Sequence, residues 1–431
     1  MRDQQPPDGP HEGPRPTATH LTRRSVLTRA LGGALALSGG ESLLAASRAL
    51  AATVNGAAIG VGGIPIATKT HPVKLPIYSD NRPIPAGRKP EKGPLVVFDW
   101  GSYLSNSVVS SFEKQYGVSV QLTTFSSIDE AVKKIASGAI AADVWVPVVE
   151  ELPNYVAAKL IQPINHSYIP NLANALPSFQ SPWYDAEAQY SIPNYVWTTG
   201  IAWRNDLLKI DPASMKNPWE VFWTVSGANG KIGLQNADPF DPLSLALLKR
   251  GITNFSAATT AQINQAVSDL KQLTGKGAKL QYTAFQQLGT GTEVLAQAWN
   301  GDVLLVPQYL PSHKPATSIS YWFPSNGEGS VNSDYWAIPK NAKHPVLAHL
   351  WMNHFLQEQN AIDNYRDAGY QQPLSTLSLP ALKAAKVADP YILDLVWVTP
   401  TEAAKGLPNP IPTAQQSELF QSAFAELSSG A

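Results

Sequence analysis

LVVFDWGSYLSNSVVSSFEKQYGVSVQLTTFSSIDEAVKKIASGAIAADVWVP, residues 95–147, decides the fold. The apolar run Leu95–Trp100 reads as a buried strand. Val108, Val109, Phe112 and Tyr116 then recur at the three- and four-residue spacing of one helix face, and Gly117 stops that helix. A second strand is expected over 118–125. Ser127 and Glu130 form a capping box that opens a helix ending near Gly138, and a third strand is expected over 143–146. This β-α-β-α-β order implies a parallel sheet with helices on its faces. Ligands meet such sheets at the carboxyl ends of the strands, where Trp100 and Tyr103 stand.

Outward from this stretch the same grammar repeats. A strand-like run begins at 201–203, a strand is expected at 230–234, and a helix at 242–250 is closed by Gly251. Ile263, Val267 and Leu270 mark another helix, ended by Gly275. A further helix over 293–299 and a strand over 303–306 follow. The expectation is an α/β protein of two lobes, the first beginning at 95–199 and the second at 200.

Upstream, residues 52–93 are punctuated by Pro65, Pro72, Pro76, Pro83, Pro85 and Pro90 without helical or alternating period. They read as an extended leader on the surface or a flexible linker, not a domain. Before them, T-R-R-S-V-L at 22–27 and the Ala/Leu/Gly-rich run 30–37 resemble a twin-arginine export signal, and Ala49-Leu50-Ala51 offers a cleavage site. The apolar run is too short and interrupted to span a bilayer. A soluble, periplasmic mature chain starting near Ala52 is expected. With no cysteine, it has neither a disulfide nor a thioether-linked lipid, so its stability must come from core burial.

Charge excludes little but does exclude nucleic acid. Removing residues 1–51 takes six of the 32 Lys/Arg and four of the 33 Asp/Glu, leaving 26 against 29. A mildly acidic chain lacks the basic stripe that nucleic acid requires. His344, His349 and His354 are spaced by five, which walks around a helix, so no metal site is expected there. There is no G-x-S-x-G elbow, Walker A loop or H-E-x-x-H, and Gly289-Thr-Gly291 lacks the third glycine of a dinucleotide fingerprint. No enzyme, cofactor or metal is therefore expected. The rival from another class is an exported carbohydrate-active enzyme, with a Trp-lined cleft and paired Asp as acid and base. Turnover separates the two.

The pattern F-D-W-x-x-Y, a helix, a Thr-Phe turn and D-V-W-V-P resembles the amino-terminal lobe of the bacterial extracellular solute-binding proteins that serve ABC importers, and among these the spermidine/putrescine-binding branch. Ser191-Ile192-Pro193 with Trp197, N-P-W-E-V-F-W at 217–223, Trp299-Asn300-Gly301 and W-A-I-P at 336–339 fall in the family's order. The likeness covers residues 95–373. It implies a two-lobed periplasmic-binding-protein fold with a hinged interlobe cleft, in which 95–199 and 334–377 make lobe 1 and 200–333 and 378–431 make lobe 2. It also implies a polyamine or other small organic cation as ligand and the membrane permease subunits of an ABC importer as partners. A monomer is expected.

Through the resemblance, Asp238 and Asp241 fall on the family's acidic pair and Asp334 on its third acid, while Trp100, Tyr103, Trp299 and Tyr370 fall on its aromatic walls. A polyamine needs charge-assisted acceptors at intervals with flat apolar surface between them, and ring faces also attract desolvated cations. Each residue has a duller reading. Asp238-Pro239 and Asp241-Pro242 fit turn and N-cap positions, Asp334 fits an ordinary strand end, and twelve tryptophans are more than one wall needs. The chain also departs from the family: Val148 and Glu150 replace a Ser and a Tyr, Ser102 an acid, and Asn332 a Trp.

Overall fold

The computed structural model describes residues 53–54, 57–101, 103–236 and 238–429, all within one compact unit. The twin-arginine pair, the cleavage site and Ser102 lie outside them. Leu95–Trp100 is the middle strand of a parallel three-stranded sheet, flanked by Val120–Phe125 and Val144–Trp145. The helix Asn106–Tyr116 begins where Ser105 Oγ accepts the Ser107 amide. It buries Val108 and Phe112 and ends at Gly117, whose left-handed φ of 66° suits a residue without Cβ. The next helix, Ile128–Ser137, is capped by Ser127, but the Glu130 carboxylate turns to the Ser126 amide at 3.1 Å, so the capping box is not reciprocal. Asp143 stays out of the third strand, since its carboxylate accepts the Val96 amide at 2.9 Å and the His344 amide at 2.8 Å.

A second sheet runs Ile319–Trp322, Ile192–Arg204, Leu295–Trp299, Ile232–Gln235, Lys279–Gln281. Here the expected helix over 293–299 and strand over 303–306 are exchanged. Leu295–Trp299 is a strand between two neighbours, and Asn300–Leu305 is the helix that follows it. Every residue of both segments but Trp299 and Leu305 is buried, and burial on nearly all faces erases the period that separates helix from strand.

The strand Ile192–Arg204 is one continuous run of 13 residues. Its first half pairs with Ser330–Trp336 and its second with Leu295–Trp299 and Ile319–Trp322. The boundaries expected at 199/200 and 333/334 both fall inside this antiparallel pair. Its register shifts between Ser333 and Tyr335, so Asp334 leaves the ladder and bridges Val148 instead. Such a bulge re-aims a side chain without ending the strand.

The proline-rich leader is a strap. Ile64, Ile66, Ala67, Val73 and Leu75 enter a core shared with Phe98, Trp145, Tyr155, Tyr190 and Tyr335. Val73 exchanges backbone bonds with Trp183 and Ala186 at 3.0 and 2.8 Å, and Asn81 donates to the Ile161 carbonyl at 2.8 Å. Beyond the strap's own core, Lys69 Nζ donates to the carbonyls of Ala404 and Gly406 at 2.6 and 2.5 Å. At the other end of the chain, the helix Ala414–Ser429 buries Phe420, Ala423 and Leu427 in the core of the second sheet. Among the described residues no helix is long and apolar enough to cross a membrane.

Candidate functional site

The parallel strands of both sheets deliver their carboxyl ends to one region. Leu95–Trp100 delivers Asp99, Trp100 and Tyr103. Ile232–Gln235 runs into Asp238 and Asp241, and Leu295–Trp299 ends on Trp299. The bulge in the crossing strand adds Asp334, and the turn after the helix Glu358–Ala368 adds Tyr370.

Aromatic rings line it in two groups, one of Trp100, Tyr103, Tyr195, Trp197 and Tyr370 and one of Trp299 and Tyr282. Trp100 and Tyr103 lie 6.5 Å apart between ring centroids, and Tyr103 lies 5.6 Å from Tyr370 and 5.2 Å from Tyr195. Trp197 meets Tyr370 edge-on at 6.2 Å. Trp299 meets Tyr282 edge-on at 5.7 Å. Tyr282, Asp334 and Tyr370 also act on the Tyr103 hydroxyl, whose pKa is pushed well up, first by burial and then by Asp334. Asn364 and the Tyr195 hydroxyl hold the Tyr103 carbonyl and hence its ring. The indole N–H groups of Trp100 and Trp299 are buried without an acceptor among the described residues.

Five carboxyl groups face this wall or flank it. Asp238 accepts the Phe240 amide at 2.7 Å, and Asp241 accepts the Asp238 amide at 3.1 Å, so the turn reading of this pair holds. Among the described residues each accepts at one oxygen only. Asp334, 3% exposed, has no hydrogen-bond donor for either oxygen among the described residues, and Asp99 accepts only the Trp100 amide at 2.7 Å. Glu150 follows the third strand of the first sheet.

Burial pushes all five up. Asp99 rises to about 8 against the opposing Trp100 amide, and Glu150 to about 8, helped by the Asp238 charge. Asp238 rises to about 6. Asp241 rises well above the carboxylate range through burial and then Asp238, and Asp334 does so through burial, then Glu150 and Asp99. None of the five is in an ion pair among the described residues, because every ion pair there lies elsewhere. Uncompensated buried carboxylates are costly, so this arrangement favours an incoming cation.

All seven residues expected from the sequence are thus brought to one region. Asp99 was missed, although it immediately precedes the tryptophan at a strand's carboxyl end. Glu150 was noticed only as a departure, and Tyr195 and Tyr282 carried no sequence signal. No three His, Asp or Glu among the described residues gather as a metal ion requires. His349 is committed to the Pro345 carbonyl and the Asn165 amide, and burial lowers it to about 4; His354 is committed to Ser111 and Gln115.

Known proteins carry the same framework. The chain is 24% identical over 302 residues to a putrescine/cadaverine-binding protein of Pseudomonas aeruginosa, covering 67% of this chain and 81% of that one. It is 27% identical over 293 residues to a spermidine/putrescine-binding periplasmic protein of Escherichia coli, covering 67% and 80%. A putative spermidine/putrescine ABC transporter from Listeria monocytogenes superposes with a TM-score of 0.62 at 22% identity, over 78% of this chain and 98% of that one, which makes the fold that of the two-lobed periplasmic binding proteins. The family model described as bacterial extracellular solute-binding protein matches residues 107–390, and the chain belongs to that family.

Proposed function

We propose that this chain is the ligand-capturing component of an ABC importer and that it holds a polyamine of the spermidine/putrescine type, or another small organic cation, between two lobes. The observation that carries this reading is the set of buried carboxyls without a cationic partner beside an aromatic wall. An ammonium group supplies the missing charge, and the rings cover the methylenes between ammonium groups. Trp100, Tyr103, Trp299 and Tyr370 are the walls; Asp238, Asp241 and Asp334 are the acceptors. The relatives are binding proteins for putrescine, cadaverine and spermidine, which supports the ligand class and favours binding over the carbohydrate-active alternative.

In this reading residues 95–199 with 334–377 form lobe 1, residues 200–333 with 378–431 form lobe 2, and the paired strands Ile192–Arg204 and Ser330–Trp336 are the hinge. Ligand favours closure because only the closed state offers contacts from both lobes. The chain acts as a monomer and docks on the permease subunits of its importer. Export by the twin-arginine route delivers it to the periplasm after cleavage near Ala51. Replacing Arg23 and Arg24 by lysine should then leave precursor in the cytoplasm, and normal periplasmic mature protein would remove the twin-arginine assignment.

A thermal-shift panel of putrescine, spermidine, amino acids, thiamine and sugars tests the ligand class. A ligand at a thousand times its Kd adds about 4 kcal/mol of stability. Amines should raise the melting temperature, whereas stabilisation by a neutral or anionic solute alone would overturn the cation assignment.

A further inference from the structure

We propose that the cavity of about 60 Å3 bounded by Glu150, Glu151, Asp238, Asn409, Ser417 and Gln421 is an additional ammonium subsite, which makes the chain a receptor for linear amines with at least three ammonium groups. The proposal rests on the amine-binding reading above and extends it.

The cavity is distinct from the aromatic wall, since none of Trp100, Tyr103, Trp299 and Tyr370 lines it. Three carboxyl groups surround it, two from the segment after the first sheet and one from the turn before the helix Phe240–Lys249, and no lysine or arginine does. These three do not converge as metal ligands do, so a metal ion does not fit, whereas an ammonium group with its adjoining methylenes does. The cavity has room for a group of that size. The rings of Phe240 and Phe420, 4.9 Å apart, supply an apolar side for the methylenes.

Asn409 is the independent sign of a missing ligand. It is 5% exposed, it lines the cavity beside Glu150, and its Oδ1 has no partner among the described residues. Its amide donates to Asn332 Oδ1 at 2.8 Å, which fixes the residue in place. A buried amide oxygen without a donor is rare in a folded protein, and an ammonium group offers three donors. Of the three acceptors assigned above, Asp334 and Asp241 lie outside the cavity and serve two ammonium groups, while Asp238 faces the cavity, which takes a third. The charge at Glu150 belongs to this chain, because the pattern it resembles places a tyrosine there.

Calorimetric titration of the full chain with spermidine and putrescine, each against parent, Glu150→Gln and Ser417→Lys, tests the proposal. Ser417 lies on a partly exposed helix face, so a lysine there puts a fixed ammonium group in the cavity without disturbing the core. Each variant should lose at least about tenfold in spermidine affinity and less than about threefold in putrescine affinity, the scale of one charge-assisted hydrogen bond. Folded variants that bind both amines but keep the parental ratio would overturn the subsite and leave the amine reading intact. A parent that binds neither amine would overturn both.

Discussion

Tyr370 closes onto Gly301 so tightly that a methyl group on Gly301 would stand 2.5 Å from Cε1 and 2.7 Å from Cδ1 of the ring. The glycine is the second residue of the helix Asn300–Leu305, two positions after Trp299, so one small residue joins two walls of the candidate site. Gly301→Ala must push the Tyr370 ring toward Tyr103 and Tyr195, 5.6 and 6.0 Å away. Stability should fall by about 1–3 kcal/mol in a denaturant melt, the range of overpacked cores. Amine affinity should fall with it, and an unchanged affinity would separate Tyr370 from the ligand.

Asp334 offers a sharper contrast. Asp334→Asn should weaken amine binding by about 2–4 kcal/mol, roughly thirty- to a thousandfold, because a desolvated ammonium group loses its charged partner. The same substitution should leave the unliganded protein at least as stable at pH 8, since it removes a buried carboxyl group that has no donor. Calorimetry and melting curves read the two effects separately. A loss of unliganded stability without loss of binding would mark Asp334 as structural.

The raised carboxyls also fix a pH dependence. Their folded pKa values lie above the unfolded ones, so the folded chain binds more protons, and its stability without ligand should fall as pH rises from about 4 through about 8. An ammonium ligand reverses the preference by stabilising the ionised forms. Amine affinity should therefore rise between pH 6 and 8, the window set by Asp238 at about 6 and by Asp99 and Glu150 at about 8, with protons released on binding. Titrations in buffers of different ionisation enthalpy measure that release, and a pH-independent affinity would contradict the account.

The strap contributes to the cooperative core. Leu75 is buried with Phe98 and Tyr335 in the same cluster, so Leu75→Ala should cost about 2–5 kcal/mol in a urea melt. A cost below about 1 kcal/mol would show that residues 58–93 unfold separately from the rest.

Much of this was legible in residues 95–147, because half-buried helices keep their period and Gly117 and Gly138 mark both helix ends. The exchanged helix and strand around Trp299 show where that legibility stops: Leu295–Trp299 and Asn300–Leu305 are buried but for their last residues, and only pairing partners decide between them. The bulge that releases Asp334 depends on a register set by Ile192–Arg204, far away in sequence, and Glu150 acquires its neighbours Asp238 and Asn409 only through the tertiary fold. Asp99 was readable from its place at a strand's end. Asn409 was not.

The central claim is that buried carboxyls hold the ligand through its charge. Its most direct test is a calorimetric titration of spermidine into refolded, ligand-free parent protein and into the Asp238→Asn/Asp334→Asn double variant. The account predicts one amine bound per parent chain and at least a hundredfold weaker binding by the variant, no less than the loss of one buried charge partner since two are removed. A correctly folded double variant that binds spermidine as tightly as the parent would contradict it.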